Sequence, residues 1–252
     1  MEPTICYDIK DAARYLDVAP STLRYWESAG LLRPERNAAN DYRRYSVREL
    51  IDAGEVAFYR KLGVSVKDLK AYRNLTVKEI DGILDRTVED IECRIADLES
   101  MREQIERQRQ LNACTEELLP DTMRHAMAGI ERMAALDYSQ ADIWQVLVRE
   151  PWRYGVLIEA AHPEAIVETV VDTPVDSEQA LWKREDLAPG SQCLECLLRV
   201  DVEGDGSTAR QLFSRAKAQG LDPIALVGSY LLTALEEPGG KRWDFYHAWI
   251  IG

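Results

Sequence analysis

The chain has 252 residues, of which 46% are hydrophobic, and a formal net charge of -13. This length is sufficient for two domains, and the composition is that of a globular protein. No run of about 18 apolar residues is present, which excludes a membrane-spanning helix. The first residues lack the basic start and apolar core of a signal peptide, so we expect a cytoplasmic protein with no membrane partner.

The charge is unevenly distributed along the chain. Residues 1–75 contain 13 basic and 11 acidic side chains, whereas residues 76–252 contain 18 basic and 33 acidic ones. An acidic C-terminal part repels nucleic acid, so any contact with nucleic acid is confined to the N-terminal part. The asymmetry indicates two functions in one chain.

Two short helices are predicted at the start of the chain. The first covers Asp8 to Leu16 and is followed by a three-residue connection, and the second begins with Ser21 as its N-cap and ends at Gly30. This arrangement predicts a helix-turn-helix. The second helix would place four polar or aromatic side chains near DNA: Thr22, Arg24, Tyr25 and Trp26.

The following segment, residues 31–45, is polar and rich in arginine, with Asn40-Asp41 as a turn signal. It predicts a β-hairpin, or wing, next to the helix-turn-helix. Ser46 and Glu49 form the pattern of a capping box for the next helix. The wing supplies four further candidates for phosphate contact: Arg36, Tyr42, Arg43 and Arg44.

A long helix is predicted over residues 76–112. Its apolar residues recur at alternating spacings of four and three, with one gap at Arg102: Leu84, Val88, Ile91, Ile95, Leu98 and Ile105. A seam of this kind on an otherwise charged helix favours a two-helix coiled coil between subunits over packing on its own domain. Residues 113–122, which include Pro120, are interpreted as a linker.

The remaining residues, 123–252, have a sequence pattern typical of a domain built from strands and helices. Strands are predicted over residues 154–159, 193–202, 224–234 and 245–251, and an amphipathic helix over residues 207–220. We therefore predict an α+β protein with four parts. These are a winged helix-turn-helix DNA-binding domain (1–75), a coiled-coil dimerisation helix (76–112), the linker (113–122) and a C-terminal α/β domain (123–252).

The N-terminal motifs resemble those of the MerR family of transcription regulators. The resemblance rests on residues 21–32 together with Asp41-Tyr42-Arg43-Arg44-Tyr45-Ser46, followed by the coiled coil. Family members often have two tyrosines where this chain has Tyr25-Trp26. The resemblance implies a homodimer joined by an antiparallel coiled coil, which binds a pseudo-palindromic operator in double-stranded DNA. It also implies that a bound effector makes the dimer distort the promoter and realign it for RNA polymerase.

The C-terminal part is similar to the gyrase-inhibitor-like effector domain of multidrug-sensing regulators, through residues 228–234 and 242–250. Five of the six tryptophans lie in this part. An acidic group ringed by aromatic faces binds large, flat organic cations, so a small aromatic or cationic effector is expected. The candidate effector-binding residues are Trp152, Tyr154, Glu159, Trp182, Tyr230 and Tyr246.

Two other interpretations remain open. The C-terminal domain would bind a protein partner or a dedicated metabolite if its aromatic residues formed an exposed patch and not a pocket. It would be an enzyme if Glu195 served as a base, but His125, His162 and His247 are scattered and no catalytic constellation accompanies them.

No metal, cofactor or catalytic residue is expected. Cys193 and Cys196 are at best half of a zinc site, and because they would point to opposite faces of a strand, two ordinary strand cysteines are favoured. Cys114 has no partner ligand nearby in the sequence.

Overall fold

The computed structural model describes residues 5–37, 41–70, 74–119, 122–172, 180–188, 190–203 and 206–252. The chain divides into two compact units, unit 1 (Met1–Met101) and unit 2 (Arg102–Gly252). Within the described ranges, no helix is both long enough and apolar enough to cross a membrane.

Unit 1 begins with the two predicted short helices, α1 (Ile9–Leu16) and α2 (Pro20–Ser28). The Asp8 carboxylate caps α1 by accepting hydrogen bonds from the backbone N–H groups of the first turn at 2.8 Å. The prediction of Ser21 as the N-cap of α2 is wrong, because the helix begins at Pro20 and its N-cap is Ala19. Proline favours this first position because its fixed φ suits a helix and it has no N–H to satisfy.

A small sheet supports the predicted wing. Its strands are β1 (Cys6–Tyr7), β2 (Glu35–Arg36) and β3 (Arg43–Ser46), and β3 pairs with both of the others. Asn40, half of the predicted turn, lies outside the described residues, and Asp41 has a positive φ of 56°. The hairpin pairing of β2 with β3 agrees with the prediction.

The helix α3 (Val47–Lys61) starts at the predicted capping box. The Ser46 hydroxyl accepts from the backbone N–H of Glu49, and the Glu49 carboxylate accepts from the backbone N–H of Ser46 at 2.7 Å. A short helix, α4 (Val66–Leu69), follows. The core of unit 1 contains buried side chains from α1, α2, α3 and β3, among them Leu23, Trp26 and Tyr45.

The long helix α5 (Val77–Leu118) ends six residues later than predicted. Residues 113–118, expected to belong to a linker, are helical, and Pro120 lies outside the described residues. The reason is tertiary packing: Leu111 and Leu118 are buried against Leu197, Leu231 and Phe245 of unit 2. Such burial stabilises helical turns that sequence propensity alone does not select.

Unit 2 is built on an antiparallel sheet that has eight strands in the part of the chain described. The strands are β4 (Arg124–His125), β5 (Arg132–Ala135), β6 (Tyr154–Glu159), β7 (Val167–Val171), β8 (Ala180–Lys183), β9 (Cys193–Asp201), β10 (Ala225–Leu235) and β11 (Arg242–Ile251). Their order in the sheet is β4-β9-β11-β10-β6-β7-β5-β8. Two helices are inserted, α6 (Ala141–Arg149) before β6 and α7 (Ala209–Ala218) before β10.

The connectivity repeats itself. β5-α6-β6-β7 and β9-α7-β10-β11 are both β-α-β-β units, and the two meet where β6 pairs with β10. In each half the third strand of the unit lies between the other two in the sheet. Unit 2 therefore contains two similar halves joined side by side.

The sheet has two faces with different partners. We call one the α7 face, because Leu212, Phe213 and other α7 residues pack on it together with Cys196. The other, the α5 face, packs against Leu111 and Leu118 of α5. Cys193 lies in a separate cluster with Trp249 and Val227, which agrees with the prediction that Cys193 and Cys196 point to opposite faces.

Candidate functional site

The exposed side of α2 carries only some of the residues predicted to approach DNA. Arg24 and Tyr25 are exposed, and Thr22 is half-buried. Trp26 is only 3% exposed and packs in the core of unit 1 with Leu23. The expectation that Trp26 contacts DNA is therefore corrected: its indole is a core group. Leu23 and Trp26 are three residues apart, and this helical spacing places both on the inner side of α2.

The wing arginines are held by carboxylates. Glu27, at the end of α2, accepts hydrogen bonds from Arg43 and from Arg36, the latter at 3.2 Å. Arg36 also pairs with Asp41 at 2.9 Å. The hydrogen bond to Glu27 raises the pKa of Arg43 above its ordinary value. Glu27 thus fixes the wing against the recognition helix, a role that sequence analysis did not assign.

One open groove collects several of the predicted DNA-binding residues. Its volume is about 810 Å³, and its lining includes Arg24, Tyr42, Arg43 and Arg44, together with Lys10 of α1. Tyr42 and Arg44 are exposed on the wing. Three arginines and a lysine around one groove provide a positively charged surface, as phosphate binding requires.

A helix-turn-helix with a basic wing defines a DNA-binding protein of the winged helix-turn-helix class. The geometry of unit 1 agrees with this class in its two helices, its hairpin and its cationic groove.

Unit 2 contains an aromatic cluster on the α7 face of the sheet. We define it as Tyr154 of β6, Tyr230 of β10 and Tyr246 of β11. Their ring centroids lie 5.8–6.4 Å apart, with tilted or edge-to-face geometry. Adjacent to these rings is a cavity of about 330 Å³. Its lining consists of Tyr138, Trp144, Leu147, Pro151, Tyr154 and Tyr230.

Two carboxylates accompany the aromatic cluster. Glu168 of β7 accepts hydrogen bonds from the hydroxyls of Tyr138 and Tyr154, the second at 2.6 Å. Asp244 accepts a hydrogen bond from Thr233, whose hydroxyl lies 2.7 Å from the Tyr230 hydroxyl. Burial, and then the hydrogen bond to Glu168, raises the pKa of Tyr154. The ring faces are therefore those of neutral phenols, which attract cations.

Three of the six predicted effector residues lie elsewhere. Glu159 is exposed at the far end of β6, and because it is five residues from Tyr154 it faces the opposite side of the strand. Trp152 packs on the α5 face, with the Arg107 guanidinium 5.5 Å from its ring. Trp182 joins the cluster that contains Trp249. The expectation of one pocket formed by all six residues is therefore corrected.

Glu168 is the acidic residue that sequence analysis missed. It enters the site because β7 pairs with β6, which places Glu168 opposite Val156 in the register. The segment 167–171 has the sequence Val-Glu-Thr-Val-Val, a β-branched run that indicates a strand. Its pairing partner is not encoded locally.

Comparison with known proteins finds similarity to one family of regulators. Residues 8–45 match the sequence model of the MerR family regulatory proteins. The transcriptional regulator ZntR of Escherichia coli K12 is 27% identical over 108 residues, which cover 40% of this chain and 77% of ZntR. The transcriptional activator TipA of Streptomyces coelicolor is 25% identical over 146 residues, 58% of this chain and 54% of TipA. Residues 8–45, which include α1, α2 and the start of the wing, therefore match the MerR family regulatory proteins, and the relatives that resemble the chain are described as transcriptional regulators.

A cryo-EM structure of an EcmrR–DNA complex aligns with 96% of this chain and 98% of its own, at 16% identity and a TM-score of 0.38. The structure of HiNmlR bound to promoter DNA aligns with 45% of this chain and 91% of its own, at 21% identity and a TM-score of 0.36. Scores at this level do not define a shared fold.

Proposed function

We propose that this protein is an effector-responsive regulator that binds a pseudo-palindromic promoter operator as a homodimer. A small aromatic or cationic compound bound in unit 2 makes the dimer distort the promoter, which aligns it for RNA polymerase and activates transcription. The single observation that carries the effector part is the aromatic cluster with the Glu168 carboxylate beside it.

The DNA part of the proposal rests on the exposed side of α2 and the groove beside the wing. Arg24 and Tyr25 face solvent next to a groove lined by three arginines. The similarity to proteins described as transcriptional regulators supports the same function. Guanidinium groups contact phosphates and guanine edges, so these side chains would position the helix in the major groove.

The dimer part rests on α5. The seam residues of α5 leave 42–64% of their surface exposed in the single chain: Val88, Ile91, Ile95, Leu98 and Ile105. In a coiled coil, a row of large apolar side chains on a charged helix is buried against the same row of an antiparallel partner helix. Two recognition helices related by a twofold axis would then read two half-sites of a palindrome.

The effector part follows from charge and shape. The tyrosine faces supply stacking and cation–π attraction of about 0.5–2 kcal/mol each. Glu168 supplies one negative charge, and two tyrosine hydroxyls orient its oxygens. A cavity of about 330 Å³ accommodates part of a flat aromatic compound, with the remainder in solvent. These features favour lipophilic organic cations of varied shape over neutral compounds.

A fluorescence titration tests this site. Purified full-length protein is titrated with tetraphenylphosphonium, with neutral aromatics of similar size as controls, and Trp144 in the cavity wall is the reporter. We expect saturable quenching that is lost in Trp144→Phe and a Kd about tenfold weaker in Glu168→Gln, which is about 1.4 kcal/mol. Glu159→Gln removes the same charge from the exposed end of β6 and leaves the Kd unchanged. Equal affinities of Glu168→Gln and Glu159→Gln would rule out this site.

The alternative of a protein partner or a dedicated metabolite is favoured by one observation. On α6, Val148 is 80% exposed and Trp144 is 50% exposed, four residues apart on one side of the helix. If the effector is a protein, cations do not quench the fluorescence of the wild-type regulator. Val148→Glu then abolishes the response of the regulator to its protein partner. Quenching by a single neutral compound alone would indicate a dedicated metabolite.

A further inference from the structure

Three side chains form a continuous polar contact on the α5 face, away from the aromatic cluster. Cys114 Sγ of α5 lies 3.6 Å from His247 Nδ1 of β11, and His247 Nε2 lies 2.6 Å from a Glu195 carboxylate oxygen of β9. The other Glu195 oxygen accepts from Arg124, which also pairs with Glu117 at 2.7 Å. A thiol, an imidazole and a carboxylate are therefore aligned within unit 2.

The carboxylate determines which imidazole nitrogen carries the proton. Burial alone raises the pKa of Glu195, but hydrogen bonds from Arg124 and His247 outweigh it and hold the pKa below its ordinary value. An ionised carboxylate only accepts hydrogen bonds, so Nε2 of a neutral His247 is the donor. Nδ1 then presents its lone pair to the Cys114 thiol, the arrangement of a base beside a nucleophile.

The resting state of the pair is neutral. Burial raises the pKa of Cys114, and the Glu195 and Glu117 carboxylates add to this effect, opposed by Arg124. Burial lowers the pKa of His247 in spite of its hydrogen bond to Glu195. At neutral pH the proton therefore stays on sulfur and the imidazole is free to receive it. The thiol becomes nucleophilic only as its proton moves to Nδ1.

A cavity adjoins the imidazole. It has a volume of about 440 Å³, and its wall includes His247, Trp249, Trp152 and Leu111. Leu111 and Cys114 are three residues apart on α5, so the thiol lies one turn from a wall residue. The Trp249 ring lies 4.1 Å from the His247 ring, and its buried Nε1 has no hydrogen-bond partner among the described residues. An indole N–H donor without a partner suits a carbonyl oxygen.

We propose that Cys114 is a covalent modification site for small soft electrophiles, of the α,β-unsaturated carbonyl class. Sγ forms a bond to the β-carbon of the alkene, the carbon–carbon π bond breaks, and the charge moves to the carbonyl oxygen. The thiol proton passes to His247 Nδ1 and then to the α-carbon, so the adduct is neutral and no oxidant is needed. Glu195 stays ionised and holds the imidazolium that forms between the two transfers.

The geometry does not suit a shared metal ion. Cys114 and Glu195 contact opposite nitrogens of the same ring, so the three groups do not converge on one point. The arrangement fits proton transfer through the imidazole.

Cys93 provides a matched control on the same helix. It is an exposed free thiol of α5, with no imidazole contact in the described part of the chain. A thiol without a base reacts through its thiolate fraction, so its rate rises steeply with pH near neutrality. A thiol with a neutral imidazole base reacts at a rate that is nearly constant once that imidazole is neutral.

The experiment measures the rate of N-ethylmaleimide addition at each cysteine of the full-length protein by peptide mass spectrometry between pH 6.5 and 8.5. We expect the Cys114 rate to change less than threefold while the Cys93 rate rises at least tenfold. His247→Gln should lower the Cys114 rate at pH 7 at least tenfold, give it the pH slope of Cys93, and leave Cys93 unchanged. Glu195→Gln, which preserves the shape of the carboxylate, should lower the Cys114 rate by a smaller factor than His247→Gln does.

The proposal is overturned if Cys114 stays unmodified after Cys93 has reacted completely. It is also overturned if the two thiols share one pH slope, or if neither variant alters the Cys114 rate. Circular dichroism of each variant establishes that it is folded. If His247→Gln does not fold, Glu195→Gln and the wild-type pH slope decide the outcome.

Discussion

At the scale of single residues, the position of a side chain within one turn of α2 decides whether it is buried or exposed. Leu23 and Trp26 point into the core, while Arg24 and Tyr25 between them are exposed. The sequence identifies this helix through its cap region and its aromatic and basic residues. It also contains the signal that assigns Trp26, since a residue three positions after an inward leucine shares its side. Grouping Tyr25 with Trp26 as an aromatic pair obscured that signal.

Trp26→Ala is predicted to destabilise unit 1 by about 3–5 kcal/mol, because it leaves a large cavity among buried side chains. Urea denaturation followed by circular dichroism measures the loss. Tyr25→Ala, at the exposed neighbouring position, should leave stability within about 0.5 kcal/mol while weakening DNA binding. A stable Trp26→Ala protein would contradict the burial of the indole.

Arg44→Ala is predicted to weaken binding to all DNA sequences alike and to reduce the salt dependence of binding. Arg44 is exposed on β3 and lines the cationic groove, so its loss removes about one phosphate contact. The slope of log K against log salt should become shallower by about one. Arg14→Ala, at an exposed arginine of α1 that is paired with Asp11, is the control. A slope that does not differ between the two variants would exclude Arg44 from the interface.

At the scale of elements, local sequence signals are strongest where capping and periodicity agree. The capping box at Ser46 and Glu49, the hairpin of residues 35–46 and the strand Tyr154–Glu159 follow the prediction. The strands β4, β5, β7 and β8 and the helix α6 were not predicted. They are two to nine residues long, and short apolar runs do not distinguish a strand from a loop or a helix. Long-range pairing selects them.

The long helix α5 has one part that the local sequence predicts and another that depends on tertiary packing. Its seam is periodic and could be predicted, but its last turns depend on burial of Leu111 and Leu118 against strands more than 75 residues away in the sequence. The local sequence of residues 111–118 does not predict that contact. The extent of an element is therefore decided by packing where local propensity is weak.

Leu98→Glu is predicted to convert the dimer into a monomer at micromolar concentration, because it places a charge in the apolar seam of α5. Light scattering coupled to size-exclusion chromatography measures the mass. Ser100→Glu adds the same charge off the seam of the same helix and should remain dimeric. If both variants have the mass of the wild-type protein, the seam is not the dimer interface.

At the scale of the whole molecule, the sites in unit 2 depend on contacts between distant segments. Tyr154, Glu168, Tyr230 and Tyr246 come from four strands, and Cys114 and His247 are 133 residues apart. Sequence reasoning selected the three tyrosines because aromatic residues accompany strand patterns. It did not select Glu168 or connect Cys114 to His247, because both depend on sheet order and on the position of α5.

The charged side chains are unevenly distributed over the molecule. The basic groove lies in unit 1, while residues 76–252 contain 33 of the 44 acidic side chains, among them Glu168 beside the aromatic cluster. Distortion of promoter DNA costs several kcal/mol, so under the proposed mechanism effector binding would have to favour the distorting conformation by a similar amount. A cation near Glu168 would therefore have to bind the distorting conformation more tightly than the other conformation, by a free energy of several kcal/mol.

The most direct test of the central claim is in vitro transcription with purified RNA polymerase and the full-length protein. The promoter carries an operator selected by the protein from random duplexes, and tetraphenylphosphonium is the effector. At a cation concentration near the wild-type Kd, we expect increased transcript formation with wild-type protein and with Glu159→Gln and a much smaller increase with Glu168→Gln, while all three bind the operator equally. If the cation binds the wild-type protein on its operator and leaves transcription unchanged, or if Glu168→Gln responds like the wild type, the proposed activation through Glu168 is wrong.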